Sequence, residues 1–176
     1  MKSVKIITSL LLFFVAINTA NAQTTSTEML KDWERAKVYT QEYLDAVPET
    51  GYALKPTPEM RSFADQMLHL ASANYMFITA ASGDKMPDGV GELEKKGEKS
   101  KAAVTKSVLD SYDFVLAALK KIDTKQLSEK VKLFGRFELT KEQAIDKAFE
   151  HQTHHRGQTT VYLRLAGATP PAEKLF

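Results

Sequence analysis

The chain has 176 residues, 43% of them hydrophobic and 26% charged, which is typical of one globular domain rather than of a disordered segment. The 24 lysine and arginine residues nearly balance the 22 acidic residues, so the excess positive charge of most nucleic-acid-binding domains is missing. The chain contains no cysteine, which excludes disulfides, thiolate metal ligands and a cysteine nucleophile.

Residues 1–22 have the pattern of a secretory signal peptide. Two lysines precede an apolar run over residues 6–17, and Ala20 and Ala22 supply the small residues that signal peptidase recognises. The run is too short for a stable transmembrane helix. We therefore expect cleavage before Gln23, a periplasmic or secreted protein, and no stable membrane insertion. Because both lysines would be removed, the mature chain would be neutral, and we expect no nucleic-acid partner.

Apolar periodicity predicts four helices in the mature domain, residues 23–176. Their expected bounds are Thr27–Val47, Thr57–Gly83, about 104–122 and Thr140–Ala166. The second helix should carry Pro58 at its first position, and the fourth should begin with a capping box formed by Thr140 and Gln143. This pattern indicates an all-α fold, a four-helix bundle.

The two long connections show no clear periodicity. Residues 92–101 are rich in lysine and glutamate, which is typical of a solvated loop or helix start. Residues 123–139 carry apolar anchors at Val131, Phe134 and Phe137. We predict no strand in either connection.

The four histidines are the residues that indicate a function. His151 and His155 are four residues apart in the fourth predicted helix, so their imidazoles lie on one face and can reach a single ion. His69 lies on a small and partly polar face of the second predicted helix, beside Gln66. Helical bundles commonly build metal sites from facing helices in this way. The spacing alone also fits surface or hydrogen-bonded core histidines, and His154, about 100° around the helix, is left outside the ligand set.

Gly157 interrupts the pattern of the fourth predicted helix. A glycine inside a helix costs roughly 0.5–1 kcal/mol relative to alanine. We expect another backbone or a ligand to approach Gly157 closely, unless the helix merely tolerates a weak position.

A C-terminal segment resembles the signature of the DinB superfamily, namely His151-x-x-x-His155-Arg156-Gly157-Gln158 followed by Tyr162-Leu163-Arg164 and Gly167. The family's other marker, a histidine on the second helix, is matched by His69 within residues 61–70. Trp33 and Pro56-Thr57-Pro58 also fit, and the resemblance covers about residues 27–170.

This resemblance implies an up-down-down-up bundle. It also implies one divalent ion held by His69, His151 and His155, with further coordination positions open to water or substrate. Family members of known activity include thiol S-transferases and a thiol-dependent isomerase, and many others are presumed hydrolases. Imidazole ligands favour zinc or nickel.

We expect a metal-dependent enzyme in which the ion activates a thiol or a water, because three protein ligands and an open position are typical of catalytic zinc. Gln152 stands where a His-Glu-x-x-His metalloprotease has its glutamate, so hydrolysis of that type is not expected. The side chains expected to contact the ligands or a small-molecule substrate are Gln66, Arg156, Gln158 and Tyr162. The alternative is a non-catalytic module that binds a metal or small ligand, and the sequence leaves the substrate and a homodimer open.

Overall fold

The structure, a computed structural model, describes residues 27–176. The predicted signal peptide, residues 1–22, lies outside the described residues. Within residues 27–176, no helix has both the length and the apolar character needed to cross a membrane.

The described part of the chain is mostly helical. Its helices are α1 (27–46), α2 (Phe63–Ser82), the single turn α3 (Leu93–Lys96), α4 (Lys101–Leu119) and α5 (Lys141–Leu165). Two short strands, β1 (Lys130–Leu133) and β2 (Phe137–Thr140), pair as an antiparallel hairpin between α4 and α5. The helical prediction is confirmed, but the expectation of a purely helical fold without strands was wrong.

α2 begins later than predicted, at Phe63 rather than near Thr57. The Ser62 hydroxyl accepts a hydrogen bond from the Asp65 backbone N–H at 3.1 Å and so caps the helix. The Thr57 carbonyl accepts a backbone hydrogen bond from three residues further on, in a turn that contains Pro58. The side-chain cap, and not the proline, therefore determines where α2 starts.

The bounds of α5 agree with the prediction because both of its ends are fixed locally. Thr140 and Gln143 form the predicted capping box, in which each side chain accepts the backbone N–H of the other. Gly167 follows the helix with a φ of 77°, a left-handed conformation that favours glycine. These caps set the paired histidines in the middle of a helix of 25 residues.

The hairpin escaped prediction because each strand is only four residues long. In the observed register, Val131 pairs with Leu139 and Leu133 pairs with Phe137. Since side chains alternate across a strand, these apolar residues share one face, which we call the apolar face of the hairpin. β1 contacts both α2 and α5, so the hairpin lies beside the groove between those helices.

The four long helices share one apolar core. Trp33 of α1 contacts Tyr112 of α4 and Phe149 of α5 edge to face, with ring centroids 5.8 and 5.4 Å apart. Asn74 of α2 donates a hydrogen bond to Ser111 of α4 at 3.1 Å. α2 also packs along α5, and this contact brings the histidines of the two helices together.

Candidate metal centre

The three histidines predicted as ligands meet between α2 and α5. Their ring centroids are 4.6 Å apart for His69 and His155, 5.2 Å for His69 and His151, and 4.2 Å for His151 and His155. One ring nitrogen of each lies within 4.8 Å of the others, so the group could hold a metal ion. Two nitrogens that bind one ion at about 2.0–2.1 Å lie at most about 4.2 Å apart. Small rotations of the rings would therefore bring the three nitrogens within bonding distance of one ion.

His69 is oriented by Glu94 of α3. The carboxylate oxygen Oε2 of Glu94 lies 3.0 Å from His69 Nδ1. Because an ionised carboxylate can only accept, Nδ1 carries the hydrogen and Nε2 keeps its lone pair. Arg61 donates from Nε to the same carboxylate at 2.7 Å. The hydrogen bonds that link Arg61, Glu94 and His69 therefore leave Nε2 of His69 available to an ion. Carboxylates commonly orient metal-bound histidines in this way.

His155 is oriented by two glutamines. The side-chain nitrogen Nε2 of Gln66, which is buried on α2, lies 2.9 Å from His155 Nδ1 and also donates to Gln158 Oε1. Gln158 Nε2 lies 2.8 Å from Nε2 of His154. With Nδ1 engaged, Nε2 is the nitrogen of His155 that remains for an ion. Its lone pair is available once Nδ1 holds the hydrogen. Half-turns of the Gln66 and Gln158 amides together supply the acceptor for that hydrogen and keep a donor facing an acceptor between the two amides.

His151 contributes to the cluster a buried polar atom without a partner in the described part of the chain. Its Nδ1 is buried and has no hydrogen-bond partner among the described residues. A buried polar atom left unpaired costs about 1–3 kcal/mol. A cation bound at this nitrogen would remove that cost.

Burial lowers the pKa of all three imidazoles. The pKa of His151 falls to about 4 and that of His155 to about 3, because burial disfavours the charged ring and the neighbouring histidines and Arg61 act in the same direction. Burial and the Arg61 charge lower the pKa of His69, and Glu94 only partly opposes them. All three rings are therefore neutral near pH 7, which is the form that binds metal ions.

Gln66 and Gln158, two of the four side chains predicted to contact the ligands or a substrate, lie beside the histidines. Arg156 lies instead in the core, where it donates to Gln152 Oε1 at 2.8 Å and its guanidinium is 4.5 Å from the ring centroid of Tyr39. The buried Tyr162 likewise donates its hydroxyl hydrogen at 2.9 Å to a backbone carbonyl just before α2. These two contacts stabilise the packing of α5.

Gln152 and Gly157 have structural explanations. Gln152 is fully buried, and its Oε1 also accepts a hydrogen bond from the Tyr112 hydroxyl at 2.8 Å, so position 152 belongs to the core and not to the metal centre. The close approach of another backbone expected at Gly157 is not found, because a Cβ there would meet no described atom within 4 Å apart from the nearby backbone of its own helix. Within the described chain, the exposed Gly157 is a weak position that the helix tolerates.

Glu94 is the residue of the centre that sequence reasoning missed. It lies in the segment rich in lysine and glutamate that was predicted to be solvated, yet its carboxylate contacts both Arg61 and His69. No motif or periodicity distinguishes it from Glu92 or Glu98 in the same segment. Only the path of this connection across α2 places Glu94 at the site.

Comparisons with known proteins agree with this fold. Residues 19–175 match the model of the DinB family. The crystal structure of a DinB-like protein from Bacillus cereus ATCC 10987 aligns with a TM-score of 0.73 and 23% identity, over 83% of this chain and 95% of that one. The crystal structure of the DinB-like protein YjoA of Bacillus subtilis aligns with a TM-score of 0.67 and 18% identity, over 83% of this chain and 96% of that one. By sequence, the uncharacterized protein YjoA of Bacillus subtilis strain 168 is 24% identical over 134 residues, 74% of this chain and 83% of YjoA.

Because the family match spans most of its length, the chain belongs to the DinB family. Both of these solved structures are below 25% identity, so they establish a shared fold.

Proposed function

We propose that this DinB-family chain binds one divalent metal ion through His69, His151 and His155. The observation that carries the proposal is the buried, unpaired Nδ1 of His151 beside two other neutral imidazoles. Imidazole donors favour zinc or nickel among the common divalent ions. Three protein ligands would leave a coordination position for water or a substrate.

We further propose that the chain is a metal-dependent enzyme of the transferase or hydrolase type. A bound ion would supply Lewis acidity that lowers the pKa of a thiol or a water. The residues of the chain would orient the ligands, since Glu94 keeps the hydrogen on Nδ1 of His69 and Gln66 faces Nδ1 of His155. Because the chain has no cysteine, a thiol nucleophile would have to come from a small-molecule cosubstrate.

The alternative is a non-catalytic protein that binds a metal or a small ligand. It is favoured by the pairing of the carboxylates around the centre, since Glu94 pairs with Arg61 and Glu150 pairs with Lys147. Neither carboxylate is free to act as a general base, and Gln152 is held in the core.

We infer that the four long helices form a four-helix bundle with up-down-down-up order. Two pairs of contacts support each relative direction: the residue numbers rise together for parallel helices and in opposite senses for antiparallel ones. α1 and α5 are parallel, with the contacts Trp33–Phe149 and Tyr43–Thr160. α1 and α4 are antiparallel, with the contacts Lys37–Asp113 and Asp45–Lys101. α2 and α5 are also antiparallel, with the contacts Gln66–Gln158 and Phe77–His151.

We also propose that the protein is exported. The support is the signal-peptide pattern of residues 1–22, and the mature chain would begin at Gln23 in the periplasm or outside the cell. It would act on a small molecule, without a nucleic-acid partner or stable membrane insertion, and a homodimer is compatible with this function.

The metal content of untagged protein purified from its native host tests the metal site. We expect about one divalent ion per chain. Replacing any one of the three ligands by alanine should weaken binding strongly, whereas the His154→Ala control, a histidine exposed on the same helix, should bind normally. Loss of binding in His154→Ala alone would overturn the ligand assignment. A cobalt-substituted protein whose spectrum does not respond to azide or thiols would refute the open coordination position.

A further inference from the structure

An apolar cavity of about 530 Å³ opens beside the metal centre. Phe77 of α2 and His151 of α5 line it on one side, and the hairpin lines it on the other. The hairpin residues concerned are Leu133, Phe134, Phe137 and Leu139. The volume is typical of a small-molecule site, since such pockets occupy about 300–1,000 Å³.

The charged residues around the cavity neutralise each other. Lys147 and Glu150 of α5 form an ion pair at 2.6 Å, and Glu138 pairs with Lys130 at 2.8 Å. A ligand body with several charges would lose hydration against the apolar wall, and these exposed pairs at the rim present it with no net charge. The cavity therefore suits an uncharged, apolar group.

The turn of the hairpin puts an aromatic ring into the cavity wall at a conformational cost. Phe134 and Gly135 have φ values of 52° and 71° in the three-residue loop between the paired residues Leu133 and Phe137, and the Arg136 N–H donates to the Leu133 carbonyl at 3.2 Å. Asparagine and glycine are preferred at the position of Phe134, because left-handed backbone is unfavourable for a bulky side chain. Backbone strain of this kind is concentrated at functional sites, where the surrounding structure supports it.

The aromatic side chains of the hairpin keep much of their surface uncovered. The Phe134 ring contacts the Phe77 ring, with centroids 5.5 Å apart, yet Phe134 is 52% exposed and Phe137 is 49% exposed. An apolar ligand in the cavity would cover these surfaces. His151 lines the cavity and is also one of the three clustered histidines, so such a ligand would lie next to a bound ion.

We propose that this cavity binds the body of the substrate, an uncharged aromatic or alkyl group, while a single head group of the same molecule coordinates the ion. The inference rests on the proposed metal site and narrows its substrate class. It excludes thiols and other nucleophiles whose bodies carry several charges.

A series of hydroxamates with one metal-binding head and tails of increasing length tests the proposal. Calorimetry on the zinc-loaded protein would measure the affinities of acetohydroxamate, butanohydroxamate and hexanohydroxamate. Because each buried methylene is worth about fourfold in affinity, the six-carbon compound should bind at least about tenfold more tightly than the two-carbon compound.

The key variant is Phe134→Asn, which puts at this left-handed position a residue that tolerates a positive φ far better than phenylalanine does, and so should not destabilise the fold. The substitution removes the ring from the cavity. The gain in affinity from the two-carbon to the six-carbon compound, which we call the tail-length gain, should therefore shrink severalfold, while acetohydroxamate binds as before. Phe137→Ser should behave alike. Phe176→Ser, the same substitution at a fully exposed phenylalanine outside the cavity, should keep the gain.

The proposal is wrong if the tail adds no affinity in the wild type, or if Phe134→Asn keeps the full gain. If no hydroxamate binds at all, the proposed open metal site fails, and the cavity is tested separately with the uncharged dye N-phenyl-1-naphthylamine on metal-free protein. Fluorescence enhancement in the wild type that is lost in Phe134→Asn supports an apolar binding cavity, and the absence of enhancement in the wild type overturns it.

Discussion

Replacing Glu94 by alanine should weaken metal binding although Glu94 is not proposed as a ligand. The substitution removes the acceptor 3.0 Å from His69 Nδ1, so the ring is no longer held with its hydrogen on that atom. Loss of such a partner typically costs 10–100-fold in metal affinity, or about 1.4–2.7 kcal/mol. The Glu94 side chain is 33% exposed, so water can partly replace it, and we expect a loss near the lower end, about tenfold to thirtyfold.

The charge of Arg61 adds a second effect. In Glu94→Ala the guanidinium loses the carboxylate that it contacts at 2.7 Å and leaves an uncompensated positive charge near the centre. The double variant Arg61→Ala with Glu94→Ala should therefore recover part of the lost affinity. Glu94→Gln should lose less than Glu94→Ala, because its amide oxygen can still accept the hydrogen of His69 Nδ1.

Competition with a chromophoric chelator would measure these affinities, and nitrogen-15 NMR of metal-free protein would report which nitrogen of His69 carries the hydrogen. The matched control is Glu92→Ala, which removes an exposed carboxylate paired with Lys96 in the same segment. If Glu94→Ala and Glu92→Ala change the affinity equally, or if the His69 tautomer is the same with and without Glu94, the reasoning about Glu94 is refuted.

Three further predictions concern folding and processing. Removing the metal should leave the far-ultraviolet circular dichroism unchanged and lower the melting temperature only modestly, because the apolar core is formed without the ion. Unfolding on addition of a chelator would contradict this prediction. Burial raises the pKa of Tyr52 and of Tyr112 to about 12, so the folded state keeps protons that the unfolded chain loses near pH 10. The free energy of unfolding should therefore fall as the pH rises from 10 to 12, with tyrosinate absorbance appearing late, and normal titration of all tyrosines near pH 10 in folded protein would refute it. Intact mass of exported protein should correspond to a chain that begins at Gln23, and a mature protein that retains Met1 would disprove the cleavage.

The three clustered histidines could be predicted because they lie on strongly periodic helices. His151 and His155 share a face whatever the tertiary structure, since four residues make about one helical turn. The start of α5 could also be predicted, because Thr140 and Gln143 cap it through contacts between neighbours in sequence. The start of α2 was predicted wrongly from Pro58, because the Ser62 side chain caps the helix instead.

The surroundings of the ligands could not be predicted because they come from the connections. Glu94 reaches His69 from a single helical turn, and the cavity wall comes from strands of four residues. Segments of this length have weak intrinsic preferences, and their conformations depend on the helices against which they pack. Charge composition predicted a solvated segment, whereas burial against α2 made one of its carboxylates part of the centre.

The protonation state of Glu94 bears on which nucleophile the proposed enzyme could use. Burial alone would raise the pKa of Glu94, but the hydrogen bond and charge of Arg61, together with His69, outweigh burial and lower it. A carboxylate with a lowered pKa is a poor general base near neutral pH, so Glu94 is suited to positioning His69 and not to accepting a proton from water. A thiol, with an ordinary pKa near 8.5, would need little help to lose its proton, whereas water at 15.7 would depend wholly on a bound ion, which can bring the pKa of a zinc-bound water to about 7. In the enzyme that we propose, a thiol cosubstrate would therefore be the nucleophile that depends least on a general base, and the apolar cavity would suit a thiol or acceptor with an uncharged body.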